Sequence, residues 1–173
     1  MLGPVPAGEA GHHGEGPGID RGGVALRVAG NQLAFGDQRI ALILAAIGAG
    51  VPIHEAVGHM IVDIGGGTTE VAVISMGGIV TAHSARVAGD ELNDAIVSMF
   101  RKEFSLEIGE NTAEEVKLQL GSAWPLAEEL TADVGGRDVT TGLPRTQVIT
   151  SEDVRAALDE SVGAIVAAIK TTL

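Results

Sequence analysis

The feature that most constrains this chain is Met60-Ile61-Val62-Asp63-Ile64-Gly65-Gly66-Gly67-Thr68-Thr69-Glu70-Val71-Ala72-Val73-Ile74. Two apolar runs rich in β-branched residues flank a tight turn, so each run reads as a strand. Three successive glycines remove every Cβ from the turn, and backbone N–H groups there can approach and face a phosphate. Asp63 closes the first strand and is placed to hold Mg²⁺ through water, since that ion keeps much of its hydration shell. The Thr68 and Thr69 hydroxyls are candidates to bond a phosphate oxygen or an attacking water. The plainer alternative is an ordinary glycine-rich hairpin. Glycine triplets are common, but Asp-x-Gly-Gly-Gly-Thr-Thr-Glu between two strands points to nucleotide-phosphate binding.

At 173 residues the chain fits one domain or a piece of a larger one. Eleven Lys and Arg against 23 Asp and Glu give a net charge of −12, which argues against nucleic acid as a partner. The absence of Cys excludes disulfides and thiolate metal sites and suits a reducing cytosol. The longest apolar stretch, residues 40–47, is far too short to span a bilayer, and no signal peptide is recognisable. With three Phe, one Trp and no Tyr, a core must be built from Ile, Val, Leu and Ala.

The first forty residues carry 10 of the 25 glycines and three of the six prolines, and no helical or strand period survives there. Residues 1 to about 22 read as disordered. His12 and His13, with no further ligand at suitable spacing, read as solvated loop rather than a metal site. From Ala41 a short buried helix is expected, stopped by Gly48 and Gly50. Strands are predicted over 60–64, 70–75 and 79–86, the last two joined by Met76-Gly77-Gly78, as an antiparallel meander. A helix opens at Gly89-Asp90, with Leu92, Ile96, Met99 and Phe100 at helical spacing, and ends near Phe104. Thr112-Ala113-Glu114-Glu115 reads as a capping box starting a helix that ends near Gly121. Residues 134–141 and 146–150, joined through Gly142-Leu143-Pro144, read as a β-hairpin. Val154, Leu158, Val162, Ile165, Val166 and Ile169 mark a last amphipathic helix, and a chain that stops there without a closing element looks cut short.

Four segments give this chain a close resemblance, from Ala45 to Leu173, to the MreB family of bacterial actin-like proteins. They are Ala45-Ala46-Ile47-Gly48-Ala49-Gly50-Val51-Pro52, the glycine-turn segment from Val62 to Ser75, Ile108-Gly109-Glu110-Asn111-Thr112-Ala113-Glu114-Glu115-Val116-Lys117, and Gly136-Arg137-Asp138-Val139-Thr140-Thr141-Gly142-Leu143-Pro144. The first two occur broadly among actins, sugar kinases and chaperone ATPases, whereas the last two are particular to MreB. The resemblance implies a mixed α/β (α+β) part of the actin-like ATPase fold, taken from its second lobe. Residues 41–173 would form that part, with about 88–150 as its small subdomain, and residues 1–40 would stand outside the match. It further implies ATP with Mg²⁺ as cofactor. Gly65, Gly66, Gly67 and Thr68 would form the second phosphate turn, with Asp63 as the metal-water ligand and Thr68 as a weak catalytic candidate. Glu114, Glu115 and Lys117 would lie beside ribose and adenine. Read without the resemblance, the two glutamates cap a helix and Lys117 is a solvated partner of Glu114.

The departures matter equally. The family's first phosphate loop, of the Asp-x-Gly-Thr-Ala-Asn type, is missing, and no late Thr-Gly-Gly-Gly motif for the base appears. A Glu-Glu-Pro that orients the attacking water in the family aligns with Ile40, Ala41 and Leu42, none of which can act as a base. The match breaks off inside a helix, which suggests a shifted reading frame or misplaced start, with a divergent natural N-terminus as the alternative. Three functions therefore compete. The first is a part of an ATP-binding, filament-forming protein that directs cell shape and cell-wall synthesis, partnered by itself or intact MreB and by the cell-wall elongation machinery, in the cytoplasm at the inner membrane face. The second is a sugar-kinase or chaperone-type ATPase. The third is an interaction module or inactive fragment without nucleotide turnover.

Overall fold

The computed structural model describes residues 24–28 and 38–173. The expected disorder of residues 1 to about 22 and the His12-His13 pair lie outside these residues. The described chain builds two sheets, each antiparallel apart from one parallel pair, with four helices.

The first sheet runs in the order β1 (Val24–Val28), β2 (His59–Ile64), β3 (Thr69–Ser75), β4 (Gly78–Ala85). Strands β2 to β4 form the expected meander, with Met60 beside Val73 and Val71 beside His83. Met76 (φ 51°) and Gly77 (φ 75°) make the two-residue turn between β3 and β4, both left-handed as a type I′ hairpin requires. Strand β1 corrects the reading that no strand lies ahead of Ala41. It runs parallel to β2, Val24 beside Met60 and Val28 beside Ile64. Its five residues carry too short a pattern to stand out among glycines and prolines, and only the pairing with β2 defines it. A parallel pair needs a crossover, and α1 (Gln38–Gly48) lies within it.

Helix α1 begins before Ala41 and is buried on one side only. Leu42, Ala45 and Ala46 pack on Ile61, Ala72 and Ile74, while Ile40, Leu44 and Ile47 face outward. The other face of the sheet presents Met60, Val62 and Val71 to Ala168 of the last helix. Covered on both faces, β2 has no polar side to alternate with at its centre, which is why Met60, Ile61 and Val62 are all apolar.

Beyond β4 come α2 (Gly89–Phe104), β5 (Leu106–Glu107), α3 (Glu110–Leu120), β6 (Thr131–Asp138), β7 (Pro144–Thr150) and α4 (Ser151–Thr172). Strands β5, β6 and β7 make the second, antiparallel sheet. Its core gathers Ile96 and Phe100 of α2, Leu106, Val116 and Leu120 of α3, Val134, Ile149, and Val154 and Leu158 of α4. Helix α2 keeps its predicted limits and stops where Ser105 turns left-handed (φ 49°) and returns its N–H to Phe100 O.

Two local readings are overturned. Thr112 does not cap α3: the helix starts at Glu110 with Gly109 as its cap, and no side chain bonds the free N–H groups. Burial of Ala113, Val116 and Leu120 sets the helix register, and it carries the helix past the Thr-x-x-Glu pattern. A capping box exists instead at Thr150, whose hydroxyl accepts from Asp153 N (3.1 Å) while its own N–H donates to Asp153 Oδ2 (3.0 Å). The predicted hairpin is present, but its first strand begins and ends three residues earlier. Asp138 accepts from the N–H groups of Thr140 (2.9 Å) and Thr141 (2.8 Å), ending the ladder there, and Gly142 (φ 73°) completes the turn. Those bonds, Thr141 N–H foremost, hold the Asp138 carboxyl below its usual range. Pro144, having no N–H, stands as the first residue of β7.

Candidate functional site

The glycine turn joins β2 to β3. Gly65 N–H donates to Thr68 O at 2.9 Å, which closes the turn. Among the described residues, the N–H groups of Gly66 and Gly67 have no backbone acceptor. Helix α2 docks its first residues on this turn: Gly89 N–H donates to Gly65 O (3.0 Å) and Asp90 N–H to Gly66 O (2.8 Å). A Cβ on Gly66 would lie 3.2 Å from Asp90 Oδ1, and one on Gly89 would lie 3.2 Å from Gly65 O. A side chain at either position would crowd the docking of α2 on the turn, against backbone at Gly89 and against the Asp90 carboxylate at Gly66.

Lys117, largely buried on α3, reaches the same place. Its Nζ donates to Gly89 O at 3.1 Å and to Glu114 Oε2 at 2.7 Å. Asn93, one turn into α2, donates its Nδ2 to the same Glu114 oxygen at 2.8 Å. The Lys117 hydrogen bond, with that of Asn93 behind it, lowers the Glu114 carboxyl below its ordinary value, so this acid is charged in neutral solution. A continuous polar chain thus links Gly65, Gly89, Lys117, Glu114 and Asn93.

Residues far apart in sequence, Gly65 to Gly67, Glu114 and Lys117, meet across α2. Glu115 does not join them. It lies exposed on another side of α3 and lines a groove of about 280 Å³ against β6, with Thr112, Val116, Gln119 and Asp133. The two threonines also part company. Thr69 is fully buried and spends its hydroxyl on Val87 O at 2.6 Å, so it is a structural anchor for the approach to α2 and is not free to bond a phosphate. Thr68 is partly exposed at the mouth of the turn. Asp63 carries a buried Oδ1 with no hydrogen-bond partner among the described residues. Among the described residues no group of three or more His, Asp or Glu side chains gathers as a metal cage.

Sequence reasoning missed Asp90 and Asn93 as site residues. From sequence, Asp90 reads only, with Gly89, as the opening of a helix. Asn93 gave one usable signal, a polar residue among the apolar helical positions Leu92, Ile96 and Phe100.

The mixed α/β body of two small sheets and four helices matches part of the actin-like fold. Solved structures with this fold confirm the class. MreB 5 of Spiroplasma citri bound to AMPPNP superposes with a TM-score of 0.73 at 40% identity, over 76% of this chain and 39% of that one. The ADP-bound form of the Spiroplasma protein gives 0.71 at 31% identity, over 87% and 52%. A MamK double helical filament, at 23% identity and a TM-score of 0.57, shares the fold. The family model for the MreB/Mbl protein matches residues 27–173, and the chain belongs to that family. Among curated relatives it is 48% identical to the cell shape-determining protein Mbl of Bacillus subtilis, over 75% of this chain and 39% of that protein. It is 46% identical to the cell shape-determining protein MreB of Escherichia coli, over 75% and 37%. The chain spans about two fifths of the length of these relatives. Among the described residues no helix is long and apolar enough to cross a membrane.

Proposed function

We propose that this chain carries one side of an ATP site and serves, as part of a bacterial actin-like filament protein, in cell-shape maintenance. The observation that carries the reading is Asp63. A buried carboxylate oxygen without a donor is costly unless a cation or its water shell satisfies it. It stands two residues ahead of a turn whose Gly66 and Gly67 N–H groups lack backbone acceptors. Such a set fits a hydrated Mg²⁺ beside phosphate oxygens, with Thr68 at the mouth and Lys117 and Glu114 toward the nucleoside. The bound ion would neutralise phosphate charge; the protein's own part is to aim N–H groups and hold the carboxylate in place.

Turnover by this chain is slow under this reading. Phosphoryl transfer needs charge neutralisation from several directions, and Ile40, Ala41 and Leu42 offer no base. Phosphate release from Mg-ATP at background level is expected, and turnover at the rate of an intact relative would refute it. The filament role rests on family membership, with a second copy or an intact relative as the partner. Calorimetric titration with ATP tests the site itself. Mg²⁺ should tighten binding to the natural chain and lose that effect in Asp63→Ala, whereas an equal Mg²⁺ response in both would overturn the assignment.

A further inference from the structure

Strand β6 has one side that is largely without a neighbour. Strand β5 pairs with it only at Arg137 and Asp138, because the chain leaves β5 at Glu107 and enters α3 at Glu110. Over residues 131–136 no strand among the described residues lies on that side. Two bonds fix which backbone groups are left there. Asp138 N–H donates to Leu143 O on the β7 side at 2.9 Å, and Val139 N–H donates to Ser105 O on the β5 side, also at 2.9 Å. Backbone groups along an antiparallel strand point alternately to its two neighbours, so Thr131, Asp133 and Gly135 aim their N–H and C=O groups at the open side. Such a row is a template for a further strand.

The open side is a groove, because α3 stands opposite as a second wall and the space between is about 280 Å³. A strand edge facing a helix can take up an extended peptide through main-chain hydrogen bonds, with side chains supplying specificity. An added strand would send its side chains alternately to the two faces of the sheet. Val134 is buried in the core, so Asp133 beside it stands on the open face; the other direction leads to Thr112, Glu115 and Gln119 of α3. Both directions therefore meet a carboxylate. Glu115 and Asp133 are exposed, and among the described residues neither is in an ion pair. The one cation on β6, Arg137, is already held by Glu107. We propose that the groove between α3 and β6 binds an extended segment of a partner protein bearing lysine or arginine, which joins the second sheet as a strand. This site is separate from the Glu114–Lys117 pair and needs no nucleotide.

The test titrates the full chain into a fluorescein-labelled peptide of alternating lysine and valine and follows fluorescence anisotropy. Two peptides serve as comparison, one with glutamate in place of lysine and one with every backbone nitrogen methylated. The lysine peptide should bind about tenfold more tightly than either. Glu115→Lys and Asp133→Lys should each weaken it several-fold, and the two together should abolish binding. Glu55→Lys, an exposed acid beside the first sheet, should leave it unchanged. Gly135→Pro removes one N–H from the open side and none from the β7 ladder, so it should abolish binding. Gly135→Ala keeps that N–H and meets nothing within 4 Å, so it should bind as the natural chain does. Equal binding of the methylated peptide, or an equal loss in Glu55→Lys, would show that net charge alone attracts the peptide and would overturn the proposal. Failure of the lysine peptide to bind would overturn it as well. So would a concentration-dependent dimer in sedimentation that Gly135→Pro dissolves, since a second copy would then fill the groove.

Discussion

Replacing Gly136 by alanine sets two neighbouring glycines against each other. Gly136 lies in β6 where the short strand β5 crosses it, and an added Cβ would fall 2.7 Å from Leu106 Cγ and 2.8 Å from Glu107 O. Leu106 is fully buried and Glu107 O belongs to the backbone, so neither can move aside cheaply. Overpacking of this kind costs about 1–3 kcal/mol, and the backbone clash puts Gly136→Ala at about 2–3. The adjacent Gly135 has nothing within 4 Å of the same added atom. Alanine restricts the unfolded chain by about 0.4–1 kcal/mol at both sites, so that contribution cancels between the two variants. Urea unfolding followed by circular dichroism should therefore place Gly136→Ala about 2–3 kcal/mol below Gly135→Ala, or roughly 4–12 °C lower in thermal midpoint for a chain of this size. Equal midpoints would show that β5 does not seat against β6 as described.

Thr150→Ala removes the hydroxyl that accepts from Asp153 N–H at the start of α4 and should cost about 1 kcal/mol, read from the urea midpoint; Thr112→Ala, which breaks no cap, should lie near zero, and the reverse order would restore the sequence-based capping box. Glu114 has a folded-state pKa below its ordinary 4.5, so its bonds to Lys117 and Asn93 stabilise the fold above about that pH and fade as pH falls through the lower folded value. With its side chain 43% exposed, solvent screening holds the effect below about 1 kcal/mol. Glu114→Gln should accordingly be less stable than the natural chain at neutral pH, and the gap should narrow as pH falls below the ordinary carboxylate range; a gap independent of pH would refute the linkage.

The sequence disclosed those elements whose apolar period is long or whose turns are chemically marked. The β2–β4 meander stands out because both strands around Gly65 to Gly67 are continuous apolar runs, and α2 because Ile96, Met99 and Phe100 repeat at helical spacing. Elements defined by their neighbours stayed hidden. Strand β5 is two residues long and exists because Leu106 and Glu107 pair with Asp138 and Arg137. The start of α3 was misread since a correct local pattern, Thr112 with Glu115, was outweighed by the burial of Ala113. At the candidate site the glycine turn and Asp63 were legible as a motif. The union of Lys117 and Asn93 through Glu114 depends on how α2 packs between the turn and α3, and no spacing along the chain encodes it.

Helix α4 also has a mechanical consequence. Its N-terminal half, through Val154 and Leu158, belongs to the core around Phe100, while Ala168 near its other end packs under the first sheet. Twenty-two residues make a rod about 33 Å long, and the two cores are fastened to its opposite halves. Gly163 sits between the two attachments with nothing within 4 Å of where a Cβ would be, and the helix runs through it unbroken. The two sheets are thus tied together by one uninterrupted helix rather than by a loop.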